Sequence, residues 1–388
     1  MVLFAYGFRP FFLLAGLYGV VSALVWPFLY LTGLELPTAL GPVAWHSHEM
    51  IHGYATAALA GFLLTVTPNW TGTTPRQGRI LMGLAALWLA GRVAVWLSAL
   101  VPAWIAVAVD VAFLPVLLAI VGRPLLREKT GRQRVFLGLV AVLALANLLG
   151  WGAAIGLGEA AARAGFLLGI GMFVVFIAIM GGRMVPSFTG NILRRQGEEA
   201  RIRTLPWLER IVLPATLVYV LVEVLFEGTA AAGILALAVG LGHLARFSGW
   251  RPAAALRLPI LWILHLGFAW MAVGLVLRGA AVFVEAIPPS AALHALTIGA
   301  IGCMTLAVMS RASLGHTGRE IVAAPPVVLA YLLVNAAALV RVLVPILAPE
   351  FMEAAIWVSA LAWAAGFALF SLVYVPILTR PRVDGRPG

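Results

Sequence analysis

Three of the seven histidines lie within seven residues, in the run Trp45-His46-Ser47-His48-Glu49-Met50-Ile51-His52. On a helix, His48 and His52 are four apart and share a face, so both could approach one iron, one other metal or two adjacent sites. His46 and Met50 share a different face, with Glu49 between them. Imidazole and thioether donors suit copper, which makes His46, Glu49 and Met50 a partial copper set. A haem iron asks instead for two imidazole nitrogens on one line through the metal, from opposite faces. His294 is the natural partner for that geometry, because it and His48 each stand 24 residues before a Thr-Gly glycine, Gly318 and Gly72. His52, one turn deeper, could replace His48. A single such histidine is more often hydrogen-bonded to a neighbour or seated among headgroups; three in seven residues and a matched fourth favour ligation.

The elements that carry these side chains are membrane helices. Apolar residues make up 63% of the 388 and charged ones 11%, against about half and a quarter in soluble domains. The excess is spread along the whole chain as runs of twenty or so residues, the length that spans about 30 Å of hydrocarbon. The first run follows Arg9-Pro10 and lacks a small-residue cleavage site, so it reads as a helix and not as a removed signal. The spans expected are 8–31, 44–67, 80–99, 103–122, 134–156, 162–182, 208–226, 229–247, 257–278, 288–310, 324–345 and 352–376. The fold class is thus all-α, one polytopic membrane domain over 1–388.

Cys303 is the only cysteine, which excludes an intrachain disulfide, a zinc ribbon or a thiolate-held iron–sulfur cluster. No Gly-rich phosphate loop followed by Lys-Ser or Lys-Thr is present, which argues against ATP use. The net charge of +11 points to lipid, not nucleic acid, because of its placement. Arg76 and Arg79; Arg123, Arg127, Lys129, Arg132 and Arg134; Arg194, Arg195, Arg201 and Arg203; Arg246 and Arg251; and Arg319 fall in alternate connections. The intervening ones carry Glu35, Glu159, Glu227, Glu285, Glu350 and Glu353. Basic loops stay in the cytoplasm, so this alternation, with Arg380, Arg382 and Arg386 after the last span, places both termini there. Inside the hydrocarbon, Arg92 and Asp110 come out at similar depth, about 10–12 Å below the outer surface at 1.5 Å per residue, and should pair across their hairpin.

A threefold repeat is visible at the inner ends of the second, sixth and tenth helices, as Trp70-Thr71-Gly72, Phe188-Thr189-Gly190 and His316-Thr317-Gly318. Gly53, Gly171 and Gly299 each precede the final glycine by 19 residues, and the copies are 118 and 128 residues apart. A period of four helices keeps all copies in one orientation, giving three units of about 1–125, 126–256 and 257–388. A six-plus-six transporter would instead repeat at half the chain. Each Thr-Gly segment is expected to close its helix. Arg183, Arg311 and His316, at these polar turns, could grip an anion such as a haem propionate, a lipid phosphate or a small anion. His316 reads as a cytoplasmic loop residue, roughly 25–30 Å from the outer histidines at the helical rise. His265, deep in the ninth span, needs a partner or a ligand; His243 and the methionines read as packing.

Together these segments resemble the NnrS family. The resemblance rests on Gly7-Phe8-Arg9-Pro10-Phe11-Phe12, on Trp45-His46-Ser47-His48-Glu49-Met50 and on Pro68-Asn69-Trp70-Thr71-Gly72. It continues in Gly182-Arg183-Met184-Val185-Pro186, Leu264-His265-Leu266-Gly267, and His294-Ala295-Leu296-Thr297 through Leu314-Gly315-His316-Thr317-Gly318-Arg319. The family pattern has Phe-Phe-Thr where this chain has Ser187-Phe188-Thr189. The resemblance implies a bacterial cytoplasmic-membrane protein holding haem, of b type, and copper, connected with nitric oxide and resistance to nitrosative stress. It implies no particular reaction, and leaves the oligomeric state open. Haem–copper oxidases and nitric oxide reductases also build a twelve-helix subunit with histidines on the second and tenth helices. Their copper-site histidines on a seventh helix have no counterpart in 208–226. The alternative reading is a transporter for a metal, haem or a small anion, with the histidines as its transient site.

Overall fold

A chain segment in hydrocarbon must satisfy its own backbone, and for apolar runs of this length the helix is the solution. The computed structural model, which describes residues 2–195, 197–198 and 202–386, is helical with no strand among those residues. Its long helices are α1 Phe8–Leu31, α2 Pro42–Thr71, α3 Arg79–Trp96, α4 Ala103–Arg127, α5 Val135–Gly150, α6 Glu159–Arg195, α7 Pro206–Leu225, α8 Ala230–Ser248, α9 Pro259–Ala280, α10 Pro289–His316, α11 Pro325–Leu347 and α12 Met352–Thr379. Among the described residues, ten of them are long and apolar enough to cross a membrane. The others are α5, with 16 residues, and α7, which carries Glu209, Arg210 and Glu223. The chain is a multi-pass membrane protein.

Three boundaries differ from those expected. α5 ends at Gly150 and residues 151–156 form turns. α6 does not stop near 182 but continues to Arg195, so Gly190 lies inside a helix and the second Thr-Gly segment closes nothing. The reason is a stripe of buried residues, Gly181, Val185, Thr189 and Leu193, at helical spacing, which gives the extra turns a packed face. α10 likewise runs on to His316, which is its last residue and not part of a loop. Gly72 and Gly318 do terminate α2 and α10, with φ of 66° and 73°, the left-handed conformation that glycine takes without a Cβ clash. Of the basic connections, Arg201 lies outside the described residues.

The chain divides into two compact units, Met1–Gly169 with Met309–Glu320 and Phe367–Gly388, and Ile170–Val308 with Ile321–Gly366. In the first, the Gly-Phe-Arg-Pro segment has a visible purpose. Arg9 is fully buried, and its Nη1 donates to the carbonyls of Leu378, at 2.8 Å, and Arg380, at 2.9 Å. It thereby satisfies carbonyls that the end of α12 leaves without intrahelical partners. In the second unit, α8 meets α9 backbone to backbone: a Cβ on Gly279 would stand 2.5 Å from the Gly233 carbonyl oxygen. Small residues permit such approach between helices that gain nothing from leaving lipid.

The second and tenth helices each carry a π segment. Glu49–Ala55 in α2 and Ala295–Gly302 in α10 are π-helical. Glu49 and Ala295, which open them, are 246 residues apart, as are Gly72 and Gly318. Each follows directly on a histidine of the cofactor set, His48 or His294. π turns concentrate at functional sites.

The glycine contacts set an expectation for stability. Gly279→Ala should lower the thermal midpoint of the detergent-solubilised protein, by an overpacking cost of about 1–3 kcal/mol. Gly83→Ala, on α3 with nothing within 4 Å of its added Cβ, should be neutral or stabilising by up to about 1 kcal/mol.

Candidate functional site

The π turn of α2 lies within the first unit and sets His48, Glu49 and His52 on a buried polar cluster. His48 is fully buried. Its Nδ1 is 2.8 Å from Glu49 Oε1; its Nε2 is 3.0 Å from Asp110 Oδ2 and 2.9 Å from Asn147 Oδ1. Arg92 donates through Nη1 to Glu49 and through Nη2 to Asp110. The Trp151 indole N–H donates to Asp110 Oδ2 at 3.0 Å. Arg92 and Asp110 therefore pair across the α3–α4 hairpin as their depths suggest. The pair is a larger assembly, with Glu49 on the other side of the guanidinium.

The backbone makes room for this. A Cβ on Gly91 would sit 3.3 Å from the Cα of Asp110, and one on Gly53 would sit 3.1 Å from Arg92 Nη1. Glycine at both positions lets α2, α3 and α4 close around the guanidinium. The Trp88 indole donates to the Gly53 carbonyl at 3.1 Å, and the Thr56 hydroxyl to the Ile51 carbonyl at 2.9 Å, satisfying oxygens within the π turn.

One guanidinium serves two carboxylates. Both ring nitrogens of His48 face carboxylate oxygens, Glu49 Oε1 and Asp110 Oδ2, and Nε2 also faces Asn147 Oδ1. An ion isolated in hydrocarbon would cost several kcal/mol; here every charge has its opposite within hydrogen-bonding reach.

His52 differs sharply. It is 2% exposed, its ring lies 5.2 Å from that of His48, and neither of its nitrogens has a hydrogen-bond partner among the described residues. A buried polar group left unpaired costs about 1–3 kcal/mol. Opposite it stands Gly169 of α6, where an added Cβ would come within 3.7 Å of His52 Cε1 and Nε2.

The remaining expected ligands are placed as follows. His46 stacks on Trp26, ring centroids 4.1 Å apart, and Met50 Sδ accepts from the Ser22 hydroxyl at 3.4 Å. Both therefore face α1, whereas Glu49 faces Arg92, so the three do not converge. No group of three His, Cys, Asp or Glu side chains among the described residues is arranged to hold a metal ion. In the second unit, His294 Nδ1 lies 2.6 Å from the Ser290 carbonyl oxygen. A carbonyl only accepts, so Nδ1 carries a proton, the arrangement that a second-shell carbonyl gives in metal-ligating histidines. His265 Nδ1 faces the Leu261 carbonyl at 3.2 Å and its Nε2 the Thr189 hydroxyl at 3.3 Å. His243 is fully used: Nδ1 accepts from Arg246 at 3.3 Å and Nε2 donates to the Thr216 hydroxyl at 3.0 Å. Of the polar-turn residues, Arg183 is exposed in the second unit, while Arg311 and His316 belong to the first.

Asn147 and Trp151 are site residues that the histidine pattern does not reveal. Asn147 had a signal, being the only polar residue in the α5 run from Val135 to Gly150; a lone amide in a membrane helix seeks a buried partner. Trp151 carries no comparable mark.

The family model described as "NnrS protein" matches residues 2–382. No curated protein matches the chain.

Removing one member of the cluster should strand the others. Asp110→Asn is expected to destabilise by about 3–5 kcal/mol and Asn147→Leu by about 1–3 kcal/mol, read as loss of thermal midpoint in detergent. The Glu49→Gln/Asp110→Asn double variant should cost less than the sum of its single changes, because both carboxylates serve one guanidinium.

Proposed function

The chain belongs to the NnrS family, and we propose that it is a haem- and copper-binding membrane protein of the nitric oxide response, with His52 as a ligand of the haem iron. The observation that carries this is the buried imidazole of His52 with neither nitrogen engaged. Such a ring is costly as packing and suited to a metal. His48, although it shares the face, has both nitrogens engaged by the charge cluster, so we assign it to holding the π turn in place. Within the second unit, taken by itself, His294, whose Nδ1 faces the Ser290 carbonyl, and His265 are further candidate cofactor histidines.

Bound at an imidazole, a haem iron supplies an open position for a diatomic ligand such as nitric oxide. The chain's own residues do the rest. Glu49 and Asp110 both pair with Arg92, so neither carboxylate is left without a cation beside the group. Gly169 presents backbone to the ring, and Trp88, Trp151 and Trp45, all at most 2% exposed, keep water out. For copper the fit is narrower: His46 and Met50, both turned to α1, offer one imidazole and one thioether, a set suited to the reduced ion, without Glu49. The matched π turns support the threefold repeat for its first and third copies. The basic connections support a bacterial inner-membrane location with those loops in the cytoplasm.

Protein purified from haem-replete cells should show a Soret band that shifts on addition of nitric oxide, with copper detected by metal analysis. His52→Ala is expected to lose at least five-sixths of the haem, with partial recovery on adding free imidazole; His243→Ala should keep it. A colourless wild-type protein, or His52→Ala with unchanged haem content and spectrum, would refute the assignment.

A further inference from the structure

We infer that Trp26 is a third contact of the copper site, the face of its indole lying against a copper(I) ion held by His46 and Met50. The inference rests on the copper reading proposed for those two residues, and adds to it the side chain that selects the oxidation state.

The arrangement is local to α1 and α2, within the first unit. His46 and Met50 are four residues apart on α2, and the residues they meet on α1, Trp26 and Ser22, are also four apart. The imidazole and the thioether are therefore turned to one strip of α1 at successive turns. The Trp26 and His46 rings are stacked, with centroids 4.1 Å apart and planes 24° from parallel. An imidazole holds a metal in the plane of its ring. With the indole nearly parallel to that plane, an ion on His46 stands beside the indole face, inside the roughly 6 Å over which a ring attracts a cation. Tryptophan has the strongest such attraction of the aromatic side chains. Tyr30, one turn further along α1, stacks on Trp26 at 4.8 Å and is 50% exposed, so the stack reaches the surface.

The other polar groups at this strip are committed elsewhere. Glu49, between His46 and Met50 in sequence, is turned to Arg92 and His48. The Ser22 hydroxyl has one proton and a closer acceptor than the sulfur, the Tyr18 carbonyl at 2.7 Å against 3.4 Å to Met50 Sδ. The thioether thus keeps lone pairs for a metal. One imidazole, one thioether and one π face form a soft set that matches copper(I). Copper(II) asks for a square of nitrogen and oxygen donors, which Met50 and Trp26 do not supply.

The test uses the full chain in detergent without oxygen. Copper(I) is supplied against a chromophoric copper(I) chelator, and silver(I) serves as its redox-inert counterpart. Copper(I) affinity should fall about fivefold or more in Trp26→Leu, the loss of one desolvated cation–π contact. Trp26→Phe, which keeps an aromatic face, should lie between that variant and wild type, and carries the test where Trp26→Leu fails to fold. Silver(I) should perturb the indole absorption of wild type, and this difference band should be absent from both Trp26 variants. His46→Ala and Met50→Leu should each bind copper(I) more weakly than wild type. Loss of binding in His46→Ala, with affinity and silver band unaltered in the Trp26 variants, would overturn this inference and leave the copper reading standing. Copper(I) binding unaltered in the His46, Met50 and Trp26 variants alike would overturn both.

Discussion

Arg92 cannot be in hydrocarbon without two carboxylates against it, and much of the first unit is arranged so that it has them. The guanidinium draws Glu49 from α2 and Asp110 from α4 onto its two ends. Gly53 and Gly91 are small because the helices must come that close. His48 reaches both carboxylates, sharing Glu49 Oε1 with Arg92 and meeting Asp110 at Oδ2, and Asn147 and Trp151 add contacts to His48 Nε2 and Asp110 Oδ2. Remove the charge and the reason for each of these residues disappears with it. The arrangement is thus less a pair with neighbours than one hydrogen-bonded object of four helices, whose parts are individually costly and jointly stable.

The second unit solves the same problem with separate parts. Arg278 takes Glu223 at 2.6 Å and Glu227 at 2.5 Å, and Arg246 takes Glu209 with two bonds while touching His243 and the Ala178 carbonyl. These networks close on themselves. Every nitrogen of His243 is spoken for, which makes it a structural histidine. The contrast gives His52 its meaning: one turn from a cluster in which each charged side chain is held by its opposite, neither of its nitrogens has a hydrogen-bond partner among the described residues. The cost of leaving it so is the physical basis for assigning it a ligand.

Legibility in the sequence followed what periodicity and charge can encode. The membrane helices were readable because apolar runs of spanning length have one structural outcome. The Arg92–Asp110 pair was readable because depth follows from the rise per residue. Glu49 was read as part of a copper set with His46 and Met50, since nothing in a string of residues shows that a guanidinium on the next helix lies against it. The π turns were invisible for a similar reason: a helical pattern read at 3.6 residues per turn assigns faces without the extra residue. Gly190 looked like Gly72 and Gly318, yet a buried stripe beyond Gly182 carried α6 past it. Local turn chemistry names where a helix is able to stop; packing decides whether it does.

The division of labour between His48 and His52 turns on that same π turn. Both histidines were assigned to one face from their spacing, and their rings do lie near each other. What separates their chemistry is which neighbours the widened turn offers. At its start, Glu49, Asp110 and Asn147 take up both nitrogens of His48. Within it, His52 meets apolar surface and the bare backbone of Gly169. A regular helix would rotate the segment after the turn relative to the charge cluster, so the free imidazole and the anchored one could not both keep their places. The extra residue is therefore the element that joins the electrostatic core of the unit to its proposed haem ligand.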